Sequence, residues 1–161
     1  MGYFFRHMSF NQPILLTQTG FNHLQSELAD LVNNRRPAVV TRLANARSQG
    51  DLSENSDYIS AREELSFLDG RIEELEDVIR LAKITAPANS QQIDFGHSVT
   101  VQIGNNQVTF EIVGEWEADP SEKKISNSSP LGKALIGKKI GDKIEVDAPA
   151  GKVVYTVLSI S

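Results

Sequence analysis

The chain has 161 residues, a formal net charge of −5, 40% hydrophobic and 23% charged residues, and no cysteine. Those figures suit a globular protein of one ordinary domain or two small ones. They exclude a disulfide framework and thiolate chemistry, and the acidic balance opposes broad electrostatic binding to free DNA or RNA. No apolar run approaches the ~18 residues of a membrane span, and "PILLTQ" is followed by no signal-peptide cleavage pattern. A cytoplasmic protein without membrane attachment is therefore expected.

In chain order, residues 1–13 read as a leader outside the fold, with Met8 as a candidate natural start. Residues 14–86 read as a helical hairpin. Between 14 and 83 there are one proline, Pro37, and three glycines, and apolar residues recur at helical spacing. Phe21, Leu24, Leu28 and Leu31 are spaced 3, 4, 3; the register blurs at "NNRRP" and resumes with Val39 or Val40, Leu43 and Ala46. Pro37 removes a hydrogen bond and is expected to kink or break the helix. Further on, Tyr58, Ala61, Leu65, Leu68, Ile72, Leu75, Ile79 and Ala82 form a strict heptad seam, the pattern of a coiled coil.

Only "SQGD" separates the two helical stretches, and Gly50 suits a helix C-terminus. A connection that short makes the helices antiparallel neighbours. Seam pairing then sets Leu24 against Ile79, Leu31 against Ile72, Val40 against Leu65 and Leu43 against Ala61. A helix from Phe21 to the turn would run about 45 Å, longer than a small domain is wide, so the hairpin projects and its tip lies at residues 50–58.

That tip carries Asp51, Glu54 and Asp57, after a stretch from Leu31 to Gly50 with four arginines and no acid. One reading is structural: Asp51 caps the second helix and Glu54 closes a capping box, with the helix dipole favouring both. The other is metal handling. Mg²⁺ is often held by only one or two protein carboxylates, with other oxygens completing its shell. Two acids at an exposed tip could therefore complete a site that another molecule provides. The arginines of this stretch have similar alternatives: contact with phosphates, or cross-helix pairing of Arg47 with Asp57 and of Arg36 with Asp69.

After the linker "ITAPANSQQID", residues 87–161 are rich in Gly, Pro, Asn and Ser. "SVTVQI" and "QVTFEIV" flank "GNN" as a hairpin, and "KIEVD" and "KVVYTVLSI" flank "APAG" as a second. "SPLGKALIG" reads as a short helix with Ser129 as N-cap, Pro130 first in the helix and Gly137 past its end. The fold class is α+β: a coiled-coil hairpin, then a small antiparallel sheet with one helix. "GKALIGKK" lacks phosphate-loop spacing, and His7, His23 and His97 show no ligand spacing.

"ARSQGDLSENSDYISAREE" (Ala46–Glu64) closely resembles the tip of the Gre transcript cleavage factors of bacterial RNA polymerase, and within that family the GreA branch. Further matches are "RRP" at Arg35–Pro37, "GRIEELE" at Gly70–Glu76 and "ISNSSPLGKALIGKKIGD" at Ile125–Asp142. The resemblance covers the chain from Leu16 on and implies an FKBP-like C-terminal domain. It also implies a monomer that is no enzyme itself, takes no small-molecule substrate, and meets DNA only through its family association with transcription. The hairpin would enter the polymerase's secondary channel, and Asp51 and Glu54 would help hold a Mg²⁺ ion shared with the polymerase, not bound by the chain alone. The polymerase would then hydrolyse the 3′ end of its own backtracked RNA. Arg47, Asp57, Tyr58 and Arg62 are the implied contacts to RNA or polymerase, although Tyr58 also fits the seam. A channel-binding regulator that does not promote cleavage, and a coiled-coil adaptor whose acids only cap, are the rival readings.

Overall fold

Two apolar stripes at coiled-coil spacing, joined by a short turn, cover one another. The computed structural model, which describes residues 12–51, 54–89 and 91–161, shows this hairpin. Residues 1–11 of the expected leader, Met8 among them, lie outside the described residues. Two compact units share the chain: a helical one over Phe21–Ala82, and a sheet unit made of Pro13–Gly20 and Lys83–Ser161.

In the helical unit, α1 (Gln18–Asp30) passes through a π turn (Leu31–Arg35) into α2 (Arg36–Arg47), and α3 (Ser56–Leu81) returns. The π turn is where the seam loses register. The amide of Arg36 reaches back five residues to the carbonyl of Leu31, so the turn holds one residue more than a regular α-turn. In a regular helix the ring of Pro37 would strike the carbonyl of Asn33, and Asn33 lies inside the widened turn.

The extra residue displaces the apolar stripe. Continued from Leu31 at 3, 4 spacing, the seam would fall on Arg35, Ala38, Arg42 and Asn45. It falls one residue later: Val39 and Ala46 are buried, and Arg36 and Leu43 are half-buried. The expected pairing of Val40 with Leu65 is corrected accordingly, since Val40 is 40% exposed. Pro37 produces a widened turn in a helix that continues, and no break. On α3 the heptad stands as far as Ile79: Ala61, Leu68 and Leu75 are buried, and Tyr58, Leu65, Ile72 and Ile79 are half-buried. Ala82, expected to end the seam, lies past the helix in extended backbone. Ion pairs report the antiparallel register on the outside: Glu27 with Arg71 at 2.9 Å, Arg36 with Asp69 at 2.6 Å and Arg42 with Glu64 at 2.9 Å.

In the sheet unit, β1 (Ile14–Leu16) forms a two-stranded sheet with β2 (Ala82–Ile84). A five-stranded sheet has the order β5-β4-β3-β7-β6, from β3 (Ser98–Ile103), β4 (Asn106–Val113), β5 (Lys124–Ser126), β6 (Lys143–Ala148) and β7 (Gly151–Ile160). The two expected hairpins are present, β3 with β4 and β6 with β7, and β3 also pairs antiparallel with β7. Gly104 opens the first turn at φ +58, the sign that a two-residue turn with glycine in first place requires. The sheet is mixed, because β5 lies parallel to β4 along one edge. Neither β5 nor β1 and β2 stand out in the sequence: each is only three residues long, too short for an alternation to show.

Alternation in β3 turns Val99 and Val101 inward, to a core with Ile93, Ile112, Leu135, Ile144, Val157 and Ile160. Leu135 comes from α4 (Pro130–Leu135), whose Ser129 N-cap accepts the Gly132 amide at 3.0 Å. That cap and Pro130 in first place are as the sequence reads. His97, 2% exposed, joins this interior; its Nδ1 accepts the backbone N–H of Asp94 at 2.9 Å.

Candidate functional site: the hairpin tip

The tip is built by two helix ends. α2 closes at Ser48, whose amide bonds the carbonyls of Ala44 and Asn45, both at 3.2 Å. Gly50 follows at φ +127, a backbone state that favours glycine. Asp51 comes next, and is exposed.

α3 does not begin where the capping-box reading places it. Its N-cap is Asn55, and its first residue is Ser56. Asn55 Oδ1 accepts the Tyr58 amide at 3.1 Å, while Asn55 Nδ2 donates to the Ala46 carbonyl at 2.7 Å. Asn caps as well as Asp, but only the amide also carries donors. The one side chain therefore satisfies a free N–H of α3 and adds a second donor to the Ala46 C=O near the end of α2, which also accepts the Gln49 amide at 3.2 Å. The cap role expected of Asp51 and Glu54 is corrected: it belongs to Asn55. Glu54 lies ahead of the cap, exposed. The sequence signal was available in "NSD", an Asn directly before an acid that falls in the first helical turn.

Asp57 occupies that turn, where a carboxylate meets the positive end of the helix dipole. It also faces a cation. Asp57 Oδ1 lies 3.5 Å from Arg42 Nε, and Arg42 Nη1 lies 2.9 Å from Glu64. Asp57 and Glu64 are about two turns apart on one face of α3, and Arg42 bridges them. This corrects the expected pairing of Asp57 with Arg47. Arg42 precedes the seam residue Leu43 as Asp57 precedes Tyr58 and Glu64 precedes Leu65, so the three share one flank of the seam, whereas Arg47 follows Ala46 on the other. Arg36 with Asp69 is found as expected, and hydrogen bonding to Asp69 holds the Arg36 guanidinium above its ordinary pKa. Such exposed pairs add little to stability, because water screens them.

Arg47 and Arg62 are exposed, and neither makes an ion pair among the described residues. Tyr58 is half-buried at the head of the seam. The structure thus sorts the six tip residues. Asp51, Glu54, Arg47 and Arg62 are exposed, Asp57 is drawn toward α2, and Tyr58 is partly covered. Among the described residues no three His, Cys, Asp or Glu side chains come together as a metal-holding group. Two hard carboxylates suit Mg²⁺ in kind and fall short in number.

Two family models match the chain: "Transcription elongation factor, N-terminal" over residues 14–84 and "Transcription elongation factor, GreA/GreB, C-term" over 88–161. Among similar proteins, transcription elongation factor GreA of Rhodospirillum rubrum is 44% identical over 153 residues, covering 92% of this chain and 98% of that protein. GreA of Cereibacter sphaeroides is 46% identical over 150 residues, covering 91% and 96%. Of solved structures, the transcription factor Gfh1 aligns at 27% identity and TM-score 0.46, over 92% of this chain and 97% of that one. GreA factor homolog 1 of Thermus thermophilus aligns at 27% and 0.44, over 93% and 99%. At such scores the superpositions add nothing to the fold described above. The near-complete coverage by both family models and by relatives well over a third identical shows that the chain belongs to the GreA/GreB family of transcription elongation factors.

Proposed function

We propose that this transcription elongation factor inserts its hairpin into the secondary channel of bacterial RNA polymerase and stimulates the polymerase to hydrolyse the 3′ end of backtracked RNA. The observation that carries the reading is the division of labour at the tip. Asn55 caps α3, so neither Asp51 nor Glu54 is the helix cap, and both are exposed at the tip. Carboxylates placed at the end of a long hairpin, and too few for a metal site of their own, suit a Mg²⁺ site completed by the partner. Bound there, the ion would supply water activation and charge neutralisation of the two-metal kind. The chain's own part is to place Asp51 and Glu54. Arg47 and Arg62 lie exposed on the flanking helices, where they can meet RNA phosphates or acidic polymerase surface, and Asp57 and Tyr58, at the start of α3, are the further contacts to RNA or polymerase. The sheet unit supplies the hold on polymerase outside the channel. The chain alone has no nuclease activity in this reading.

The test is RNA cleavage by stalled, backtracked polymerase with the wild-type chain and with the Asp51→Asn, Glu54→Gln double variant, with polymerase binding measured beside it. Strong stimulation by the wild type, lost in the double variant while binding persists, is the expected result. Near-normal cleavage by the double variant would overturn the metal role. Binding without stimulation by the wild type would favour a channel-occupying regulator.

A further inference from the structure

We propose that Glu117 is a positioning residue at the root of α1: within the sheet unit its carboxylate clasps that helix's first turn and closes its cap, so that a hold on that unit becomes delivery of the tip. The second clause rests on the function proposed above; the clasp itself does not.

The first turn of any helix leaves N–H groups without partners. At the start of α1 Thr17 is the cap, and its Oγ1 accepts the Gly20 amide at 3.1 Å. A capping box would be closed by a Glu or Gln three residues past the cap, reaching back to the cap's own N–H. Here that position is Gly20, which has no side chain, and the first turn of α1 holds no acid. The carboxylate comes from Glu117, 100 residues along the chain: Thr17 N donates to Glu117 Oε2 at 2.8 Å, and Thr17 Oγ1 donates to Glu117 Oε1. It is a capping box closed from a distance, and it sets a negative charge at the positive end of α1.

Two glycines make the approach possible. A Cβ on Gly20 would run into the Glu117 carboxylate, and a Cβ on Gly114 would run into the Leu15 carbonyl. Glycine is a poor choice inside a helix; at Gly20 the space it leaves is filled by Glu117. The boundary between the two units falls directly after Gly20, so the clasp sits where α1 passes out of the sheet unit. Nothing in the sequence pattern ties Glu117 to Thr17.

The experiment has two arms. The first needs no polymerase. Helix propensity alone says that Gly20→Ala stabilises; the clasp says the reverse. Gly20→Ala is expected to lower the unfolding midpoint of the full chain, and to raise it when introduced into Glu117→Ala, where no carboxylate blocks the Cβ. Faster amide hydrogen exchange at Thr17 in Glu117→Gln is the parallel readout if a variant folds poorly. A stabilising Gly20→Ala in the otherwise wild-type chain, or unchanged Thr17 exchange, overturns the clasp. The second arm titrates the factor in the cleavage assay. Glu117→Ala is expected to lower the plateau rate by about tenfold or more, the scale on which misplaced groups act, with the half-saturating concentration little changed. Thr17→Ser, which keeps the hydroxyl, should hold the plateau. A higher half-saturating concentration with a normal plateau would mean a merely structural role and overturn the positioning. Absence of stimulation by the wild type would fell the proposed function and the positioning role with it, while the first arm would still decide the clasp.

Discussion

The side-chain amide of Asn55 donates to the main-chain carbonyl of Ala46 at 2.7 Å, tying the start of one hairpin helix to the end of the other. The same side chain caps α3. Asn55→Ala is expected to cost about 1–2 kcal/mol through the lost cap. Asn55→Asp keeps the cap oxygen and loses the donor, and should cost about 0.5–1.5 kcal/mol through the unmade bond to Ala46. Urea unfolding measures both. Wild-type stability in Asn55→Asp would show that the cross-helix bond contributes nothing.

Because the cap lies at Asn55, stability and charge separate at the acids before it. Glu54→Ala is expected to change stability by no more than about 0.5 kcal/mol, the range of surface substitutions away from special features, while Asp51→Asn keeps the size of the side chain and one of its acceptor oxygens and removes the charge. Each should lower RNA cleavage sharply in the polymerase assay. A stability loss near 1 kcal/mol in Glu54→Ala would return that residue to a capping role.

The π turn and Pro37 make a coupled pair. Deleting Asn33 removes the extra residue and would bring Val39 and Ala46 onto the straight continuation of the seam. It would also force Pro37 into a regular helix, at about 3 kcal/mol. The deletion alone should therefore destabilise strongly, and the deletion combined with Pro37→Ala should recover most of the loss. Circular dichroism melts of the three proteins check this. Equal stability of the two deletion variants would mean that the proline does not cause the widened turn.

Asp119 provides a pH signature in the sheet unit. Its Oδ1 accepts from Ser121 Oγ at 2.6 Å and Ser121 N at 2.9 Å, and these bonds, the side-chain one first, hold the carboxyl below its ordinary value of 3.8. A depressed folded pKa adds stability that is present above the ordinary value and is lost as pH falls through the lower, folded value. NMR should show the Asp119 midpoint below 3.8 in the wild type, moving up toward it in Ser121→Ala. An unchanged midpoint in that variant would refute the assigned cause.

The heptad from Tyr58 to Ile79, the short turn at Gly50, the two β-hairpins and the Ser129 cap were legible in the sequence because each rests on neighbours along the chain: a periodicity, a turn residue, a cap three residues from its amide. The acids of the tip were legible for the same reason, as an unusual local composition. What the sequence left open was decided across distance. Asp51 and Asn55 are both good cap residues by local rules, and the choice fell to Asn55 because only its amide also reaches the Ala46 carbonyl, on the other helix. Arg42, and not Arg47, faces Asp57 because the two arginines lie on opposite flanks of the seam and the packing of the returning helix brings its acidic flank to Arg42. Strand β5 lies parallel to β4 because the sheet edge supplies partners that three residues could not announce. The clasp of Thr17 by Glu117 joins positions whose meeting no period or spacing encodes, since the helix that needs the carboxylate carries glycine where its own would stand.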